Sequence, residues 1–314
     1  MALPRYAYFQ GKIVPYSEAR VGVMNHTLNY GTGAFGGIRG YWNPEEEQLF
    51  IFRLTDHLKR LARSSQLLMA DLGLDLDEIR HLMIELAQRE GLRQDCYIRP
   101  LIYHTDEIIG VRLHDLHPDL AIFAVPFDRY VQNDTDAHVT VSSWRRLDDN
   151  SLPARGKITG AYISSALIKT DAVRSGFDEA LVLTQDGHVS EGSAENVFIV
   201  RNEVVITPPV TDNILEGITR RTVMALAREE LGLRVVERQI DRSEIYICDE
   251  LFLTGTAAQV TAVTRVDHRP IGSGEMGPIV SQLRQLYDAA VRGRMPKYRQ
   301  WNSPVYASEP APAA

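Results

Sequence analysis

A polar, irregular stretch from Pro126 to Thr135 breaks this 314-residue chain near its middle, and the break constrains the fold more than any other feature. Before it, Leu120-Ala-Ile-Phe-Ala-Val125 is an apolar run of strand length; after it, His138-Val-Thr-Val-Ser-Ser143 opens a second strand pattern. The length also suggests about two domains. The expected division is a small α/β domain over 1–128, a linker over 129–136, a larger domain over 137–302, and a Pro- and Ala-rich disordered tail over 303–314. Strand-like and helix-like runs occur in both halves, so the expected class is α+β.

In the first half, Tyr6–Phe9 and Ile13-Val14 flank Gly11-Lys12 as a short hairpin. Gly31, Gly33 and Gly36 formally match a dinucleotide fingerprint, with Asp56 at about the ribose-acid distance. The flanks, Met24–Asn29 and Gly37–Trp42, make a poor strand and a poor helix, so the expectation is backbone approaching a pocket or another chain. Leu49–Arg53 reads as a strand ending in arginine, and Thr55–Ala70 as an amphipathic helix. Asp75 and Glu78 form a capping-box pattern for a helix that Gly91 stops. In the strand-like run Cys96–Tyr103, alternation puts Tyr97 and Arg99 on one face, a pairing suited to a carboxylate.

In the second half, Lys157 lies between Gly156 and Gly160, with Ile158, Ala161 and Ile163 nearby and Tyr162 shortly after. A lysine is usually a solvated charge. One that is desolvated loses its proton more readily and suits Schiff-base chemistry. Asp186-Gly187 marks a hairpin, followed by Ser190-Glu191-Gly192 and Glu195-Asn196. Gly217-Ile218-Thr219-Arg220 opens a helix whose first N–H groups suit a phosphate. Asp241 with Glu244 repeats the capping-box spacing, Thr254–Ala258 ends a strand in small residues, and a last helix covers about Pro278–Arg292.

The formal net charge of -7 and the lack of a strong basic run argue against a nucleic-acid partner. No apolar run is long enough to span a bilayer, and residues 1–10 lack the apolar core of a signal peptide, so no membrane partner is expected. Cys96 and Cys248 have no metal-ligand spacing and suggest a reducing compartment; the expectation is a cytoplasmic protein with no metal.

Taken together, Lys157 with Tyr162, Ser190-Glu191-Gly192 with Glu195-Asn196, Gly217–Arg220 and Thr254–Ala258 resemble, in order and spacing, the branched-chain amino acid aminotransferases among the fold-type IV pyridoxal phosphate enzymes. Tyr30-Gly-Thr, Phe35, Gly37-Ile-Arg39 and Tyr97-Ile-Arg-Pro100 extend the likeness into the first half. The resemblance implies pyridoxal 5'-phosphate as cofactor, with Lys157 as the Schiff-base lysine and proton carrier. Tyr162 would face the phenolate oxygen, Glu191 the pyridine nitrogen, and Leu215 the ring. Arg53, Ile218, Thr219 and Thr256 would hold the phosphate. Tyr97 with Thr256-Ala257 would take the substrate carboxylate, and Arg99 the second carboxylate of glutamate. Tyr30, Phe35, Phe127, Tyr130 and Val111 would line the pocket, the last being a position that a partner subunit can supply.

The implied reaction is ping-pong transfer of the amino group of leucine, isoleucine or valine to 2-oxoglutarate by a homodimer or higher homo-oligomer. Three departures bear on substrate range. Gly36 stands where the family commonly has glutamate, Gln259 where glutamate is usual, and Phe127 where some members have tryptophan. A D-amino acid or (R)-amine aminotransferase, or an aminodeoxychorismate lyase, shares Lys157 and Glu191 and is the alternative.

Overall fold

The computed structural model describes residues 3–128 and 133–306; Tyr130 lies outside them. They fall into two compact units, residues 3–128 with 289–306 and residues 133–288.

The first unit is built on one antiparallel sheet. β1 (Tyr6–Phe9) and β2 (Lys12–Pro15) form the predicted hairpin, turning at Gln10-Gly11 with both residues at positive φ. A short helix α1 (His26–Tyr30) follows, capped by Asn25, whose Oδ1 accepts from the Leu28 N–H. Then come β3 (Ala34–Phe35), β4 (Ile38–Asn43), β5 (Gln48–Phe52), α2 (Leu54–Leu67), α3 (Leu76–Glu90), β6 (Cys96–His104) and β7 (Pro118–Pro126). The sheet runs from the strand Asn302–Pro304 through β5, β4, β6, β7 and β1 to β2, with β3 also on β6. Its core includes Leu49, Ile51, Leu58, Met83, Leu86 and Ile98, all buried. The capping box of α3 is present with both of its hydrogen bonds, and Gly91 ends the helix at φ +65.

The glycine-rich stretch does not make a strand–turn–helix. Gly31 ends α1, and two strands follow. A Cβ at Gly37 would lie 2.5 Å from the Tyr97 hydroxyl, and one at Gly36 2.8 Å from Pro100 Cγ. The glycines therefore let side chains of β6 pack directly over this backbone.

The division differs from the expected one at its far end. Residues 289–306 belong to the first unit, not to a domain over 137–302, and 303–306 are structured where a disordered tail was expected. Asn302–Pro304 pairs with β5 and so satisfies an edge that would otherwise present unpaired backbone groups. Gln48 then accepts from the Val305 and Tyr306 N–H groups and donates to Tyr306 O.

The second unit holds β8 (Ala137–Arg145), α4 (Tyr162–Arg174), β9 (Glu179–Leu183), β10 (Val189–Gly192), β11 (Asn196–Arg201), β12 (Val204–Thr207), α5 (Ile218–Glu229), β13 (Val235–Glu237), β14 (Glu250–Gly255), β15 (Gln259–Val266) and β16 (Arg269–Pro270), then most of α6 (Pro278–Val291). Its sheet is ordered β10-β9-β8-β15-β14-β11-β12-β13, with β16 on β15. It is mixed: β8 runs parallel to β9 and β15, and β12 parallel to β13. One face buries Val139, Leu181, Leu253 and Val263 with their neighbours; Ile168 and Ala172 of α4 pack against Ala180 and Val182. The predicted cap at Asp241 is absent. A 3-10 turn, Arg242–Ile247, stands there without a side-chain cap: the Asp241 carboxylate lies 3.1 Å from His188 Nδ1, and Glu244, the other half of the pattern, pairs with Arg238 and Arg201.

Among the described residues no helix is long and apolar enough to cross a membrane.

Candidate active site

In the second unit, the loop before α4 brings Lys157 Nζ into a hydrogen bond with the Tyr162 hydroxyl. A 3-10 turn, Thr159–Ala161, sets this spacing by winding the chain straight into α4, so that Tyr162 is its first residue. Both side chains are half-buried.

Glu191 lies in β10 just after a register irregularity that begins at Val189, and its side chain is 4% exposed. Each carboxylate oxygen is occupied. Oε1 is 2.7 Å from an Arg146 guanidinium nitrogen; Oε2 accepts from Asn196 Nδ2 at 3.0 Å and from Leu215 N at 3.1 Å. Burial pushes this carboxyl above the usual range, opposed by Arg146, the Leu215 N–H, Lys157 and Arg220. The same groups lace down the loop before α5. Arg146 Nε donates to Asn213 O, Asn196 Nδ2 to Leu215 O, and Ser190 Oγ to Asp212 O. Leu215 is thus held by both its N–H and its C=O.

That loop delivers Gly217 to the start of α5, where Asn196 Oδ1 would lie 1.9 Å from an added Cβ. No side chain caps this helix, so the first amides, at Ile218 and Thr219, face an anion-favouring dipole end. Thr254 sits opposite Asn196 in the β11–β14 register; its hydroxyl is buried and has no hydrogen-bond partner among the described residues. Thr256 and Ala257 occupy the turn from β14 into β15 and are half-exposed. Glu195, from the same motif as Asn196, is pushed up to about 8 by burial and then by the charge of Glu179.

The first unit gathers a different set. Arg99 donates to the Tyr97 hydroxyl at 2.8 Å and lies 4.7 Å from the Phe35 ring centre, while Tyr97 and Phe127 rings meet at 5.4 Å. The alternation argument for Tyr97 and Arg99 therefore holds. Among the described residues Arg99 Nε is buried without a partner, leaving donor capacity for an acid. Arg39, which the sequence reading gave no role, is fully buried and donates to the carbonyls of Phe127 and Asp128, fixing the end of β7. Tyr30 and Val111 do not pack into this set: Tyr30 packs on His26, and Val111 is 87% exposed on a loop. Arg53 precedes α2 in the left-handed region, pairs with Asp56 at 2.7 Å and lies 4.7 Å from the Trp301 ring centre.

The second unit's set fits a phosphorylated nitrogen heterocycle that forms a Schiff base. It offers an amine beside a phenol, a buried carboxylate for a ring N–H, an uncapped helix start for phosphate, and an unpartnered buried hydroxyl at Thr254. Sequence reasoning missed Arg146, Asn196 and Thr254 in these parts; only the neighbourhood of Asn196 to Glu191 in one motif pointed that way.

Such a set, within the second unit, suits aminotransferase chemistry. Residues 34–266 match the family model for amino-transferase class IV, and the chain belongs to that family. It is 47% identical over 301 residues to a probable branched-chain-amino-acid aminotransferase of Aquifex aeolicus, covering 96% of this chain and 97% of that relative. It is similar to the crystal structure of a branched-chain aminotransferase from Thermoproteus uzoniensis with norvaline: TM-score 0.92, 39% identity, 96% of this chain and 100% of that one. The PLP form of a branched-chain amino acid aminotransferase from Thermobaculum terrenum gives a TM-score of 0.92 at 40% identity, over 97% and 99%. The fold is that of the fold-type IV aminotransferases, as the resemblance implied.

Proposed function

We propose that this chain is a pyridoxal phosphate-dependent transaminase that moves the amino group of leucine, isoleucine or valine to 2-oxoglutarate in two half-reactions. The observation that carries the reading is the buried Glu191 carboxylate, held by Arg146, Asn196 and Leu215, in the same unit as the Lys157–Tyr162 pair. When bound, the cofactor supplies an electron sink for the substrate Cα, provided its ring nitrogen stays protonated. Glu191 would accept from the protonated ring nitrogen, and its three partners oppose the upward push of burial on its carboxyl. Lys157 Nζ takes the proton from the substrate Cα, and the Tyr162 hydroxyl orients Nζ. Leu215 would pack on the ring, and Ile218 and Thr219 at the start of α5, with Thr256, would hold the phosphate.

On the substrate side, Phe35 and Phe127 offer apolar surface to a branched side chain, and Arg99 with Tyr97 offers a carboxylate receptor. One pocket that accepts leucine and glutamate needs both. The first unit also exposes Val23, Met24, Leu28, Ile109 and Val111 on α1, the segment before it and the hydrogen-bonded loop beyond β6. Apolar surface of this kind supports assembly into a homodimer.

The test is an absorption spectrum after incubation with pyridoxal phosphate. A visible band that bleaches with L-leucine and returns with 2-oxoglutarate is expected. A band that responds instead to D-alanine or (R)-1-phenylethylamine would move the substrate class. A protein that stays colourless would overturn the reading.

A further inference from the structure

The loop between β6 and β7 closes on itself at its base. Thr105 N donates to His117 O at 2.8 Å, and His117 N to Asp106 Oδ2 at 2.7 Å. Helix α1 stitches its near side: Asn25 Nδ2 donates to His104 O, His104 N to Thr27 Oγ1, and His26 N to Asp106 O, each at 2.8 Å. At the far end, α1 grips a single residue, Gly110. Its N–H donates to the Tyr30 hydroxyl at 3.2 Å, and its carbonyl oxygen lies 3.0 Å from His26 Nε2.

A carbonyl only accepts, so Nε2 carries the proton. In the neutral ring Nδ1 then accepts from the Thr32 hydroxyl, 2.9 Å away. The imidazole is fully buried and packs 4.7 Å from the Tyr30 ring centre. Gly110 has φ +147, a region L side chains rarely adopt, and a Cβ there would meet nothing within 4 Å. On either side stand Ile109 and Val111, 88% and 87% exposed.

We propose that His26 is a positioning residue for substrate selectivity: with Tyr30 it clamps the two peptides that meet at Gly110 and so fixes where Val111 is presented. The selectivity half of this rests on the reading of Val111 as a pocket residue. Two exposed apolar side chains on a long loop would otherwise sample many positions, and ordering them at binding would weaken affinity. The Gly110 N–H lies in the Ile109–Gly110 peptide and its C=O in the Gly110–Val111 peptide, so with each held by a side chain of one helix both planes that meet at Gly110 are set, and the Cα atoms of Ile109 and Val111 follow. The clamp removes that ordering cost before substrate arrives.

The experiment uses the holoenzyme with His26→Phe, His26→Gln, Gly110→Ala and Val111→Ala, reading amide hydrogen exchange over residues 107–113 and the kinetics with L-leucine. Loss of one such hydrogen bond should raise KM by about fivefold to tenfold. In His26→Phe and Gly110→Ala, exchange should quicken and KM rise by that factor, with kcat within about twofold of wild type. His26→Gln, whose amide N–H can donate to Gly110 O, should recover most of both. Gly110→Ala guards against a misfolded His26 variant, since its Cβ enters open space and only the backbone is strained. Unchanged exchange in both variants overturns the clamp, as does a fall in kcat with KM unmoved. Val111→Ala should raise KM without quickening exchange. If it leaves KM unchanged while His26→Phe loosens the loop, the clamp stands and the part given to Val111 fails.

Discussion

Replacing Arg146 with methionine should destabilise the protein strongly at alkaline pH and much less in mild acid. Arg146 and Glu191 are 16% and 4% exposed and meet at 2.7 Å. With charge centres about 4 Å apart and an effective dielectric near 20, the attraction is about 4 kcal/mol. That lies within the roughly 3–5 kcal/mol typical for stripping one partner from a buried pair. In the variant, Asn196 and Leu215 N–H remain, but the main countercharge has gone. Burial already lifts the Glu191 carboxyl above its ordinary 4.5, and the substitution lifts it further. A carboxyl with a folded pKa above its unfolded one makes the native state bind the extra proton. Stability is then retained below 4.5 and lost as pH rises towards the folded pKa. Wild type and variant run together below 4.5 and part as pH rises past the wild-type carboxyl's folded pKa, so the gap should be wider at about pH 8 than at about pH 5. Urea unfolding of the cofactor-free protein at both pH values, with unchanged m, measures it. Arg146→Lys should recover part of the gap. An equal gap at both pH values would refute the electrostatic account. Arg146 would then act through packing and its bond from Nε to Asn213 O, neither of which titrates.

Lys157→Ala should lower turnover by about 10²–10⁴-fold or more while the melting temperature stays within a few degrees; ordinary turnover in a folded variant would remove Lys157 from the chemistry. Arg99→Ala deletes a charged donor worth about 1.5–3 kcal/mol, so single-turnover reaction with 2-oxoglutarate should slow about 10–150-fold more than that with L-leucine. Equal losses would count against the second-carboxylate role. Glu195→Gln should flatten a pH slope. The carboxyl is pushed up to about 8, so wild-type stability should fall as pH rises from 4.5 towards 8. The glutamine variant has no proton to lose there, and the two melting curves should diverge by a few kcal/mol, at about 1.4 per pKa unit. Parallel curves would show that Glu195 takes up no proton on folding.

What the sequence made legible follows from the range of the interaction involved. Asp75 and Glu78 cap α3 because both hydrogen bonds close within one turn of chain. Tyr97 and Arg99 meet because a strand's period is two. The same spacing misled at Asp241 and Glu244, where two arginines from other elements, Arg201 and Arg238, outcompete one backbone N–H for Glu244 and hold its carboxyl down at about 2. No local pattern announces such competitors. Asn302–Pro304 failed for a related reason: a Pro-containing run is poor strand material until an unpaired edge such as β5 gives its carbonyls a partner.

Within the candidate site the division is the same. Lys157, Tyr162 and Glu191 were readable as ordered motifs. The residues that hold them are not, because a supporting side chain needs only the right charge at the right place. Arg146 comes to Glu191 from the end of a strand 45 positions earlier in the numbering, and nothing in Trp144-Arg145-Arg146 distinguishes the third residue from the second. Buried charge makes the difference visible. Glu191 could not remain a carboxylate at 4% exposure without a countercharge and donors for both oxygens. A motif acid placed in a core therefore implies a cation from elsewhere in the chain, and the sequence can state that need without naming the residue that meets it.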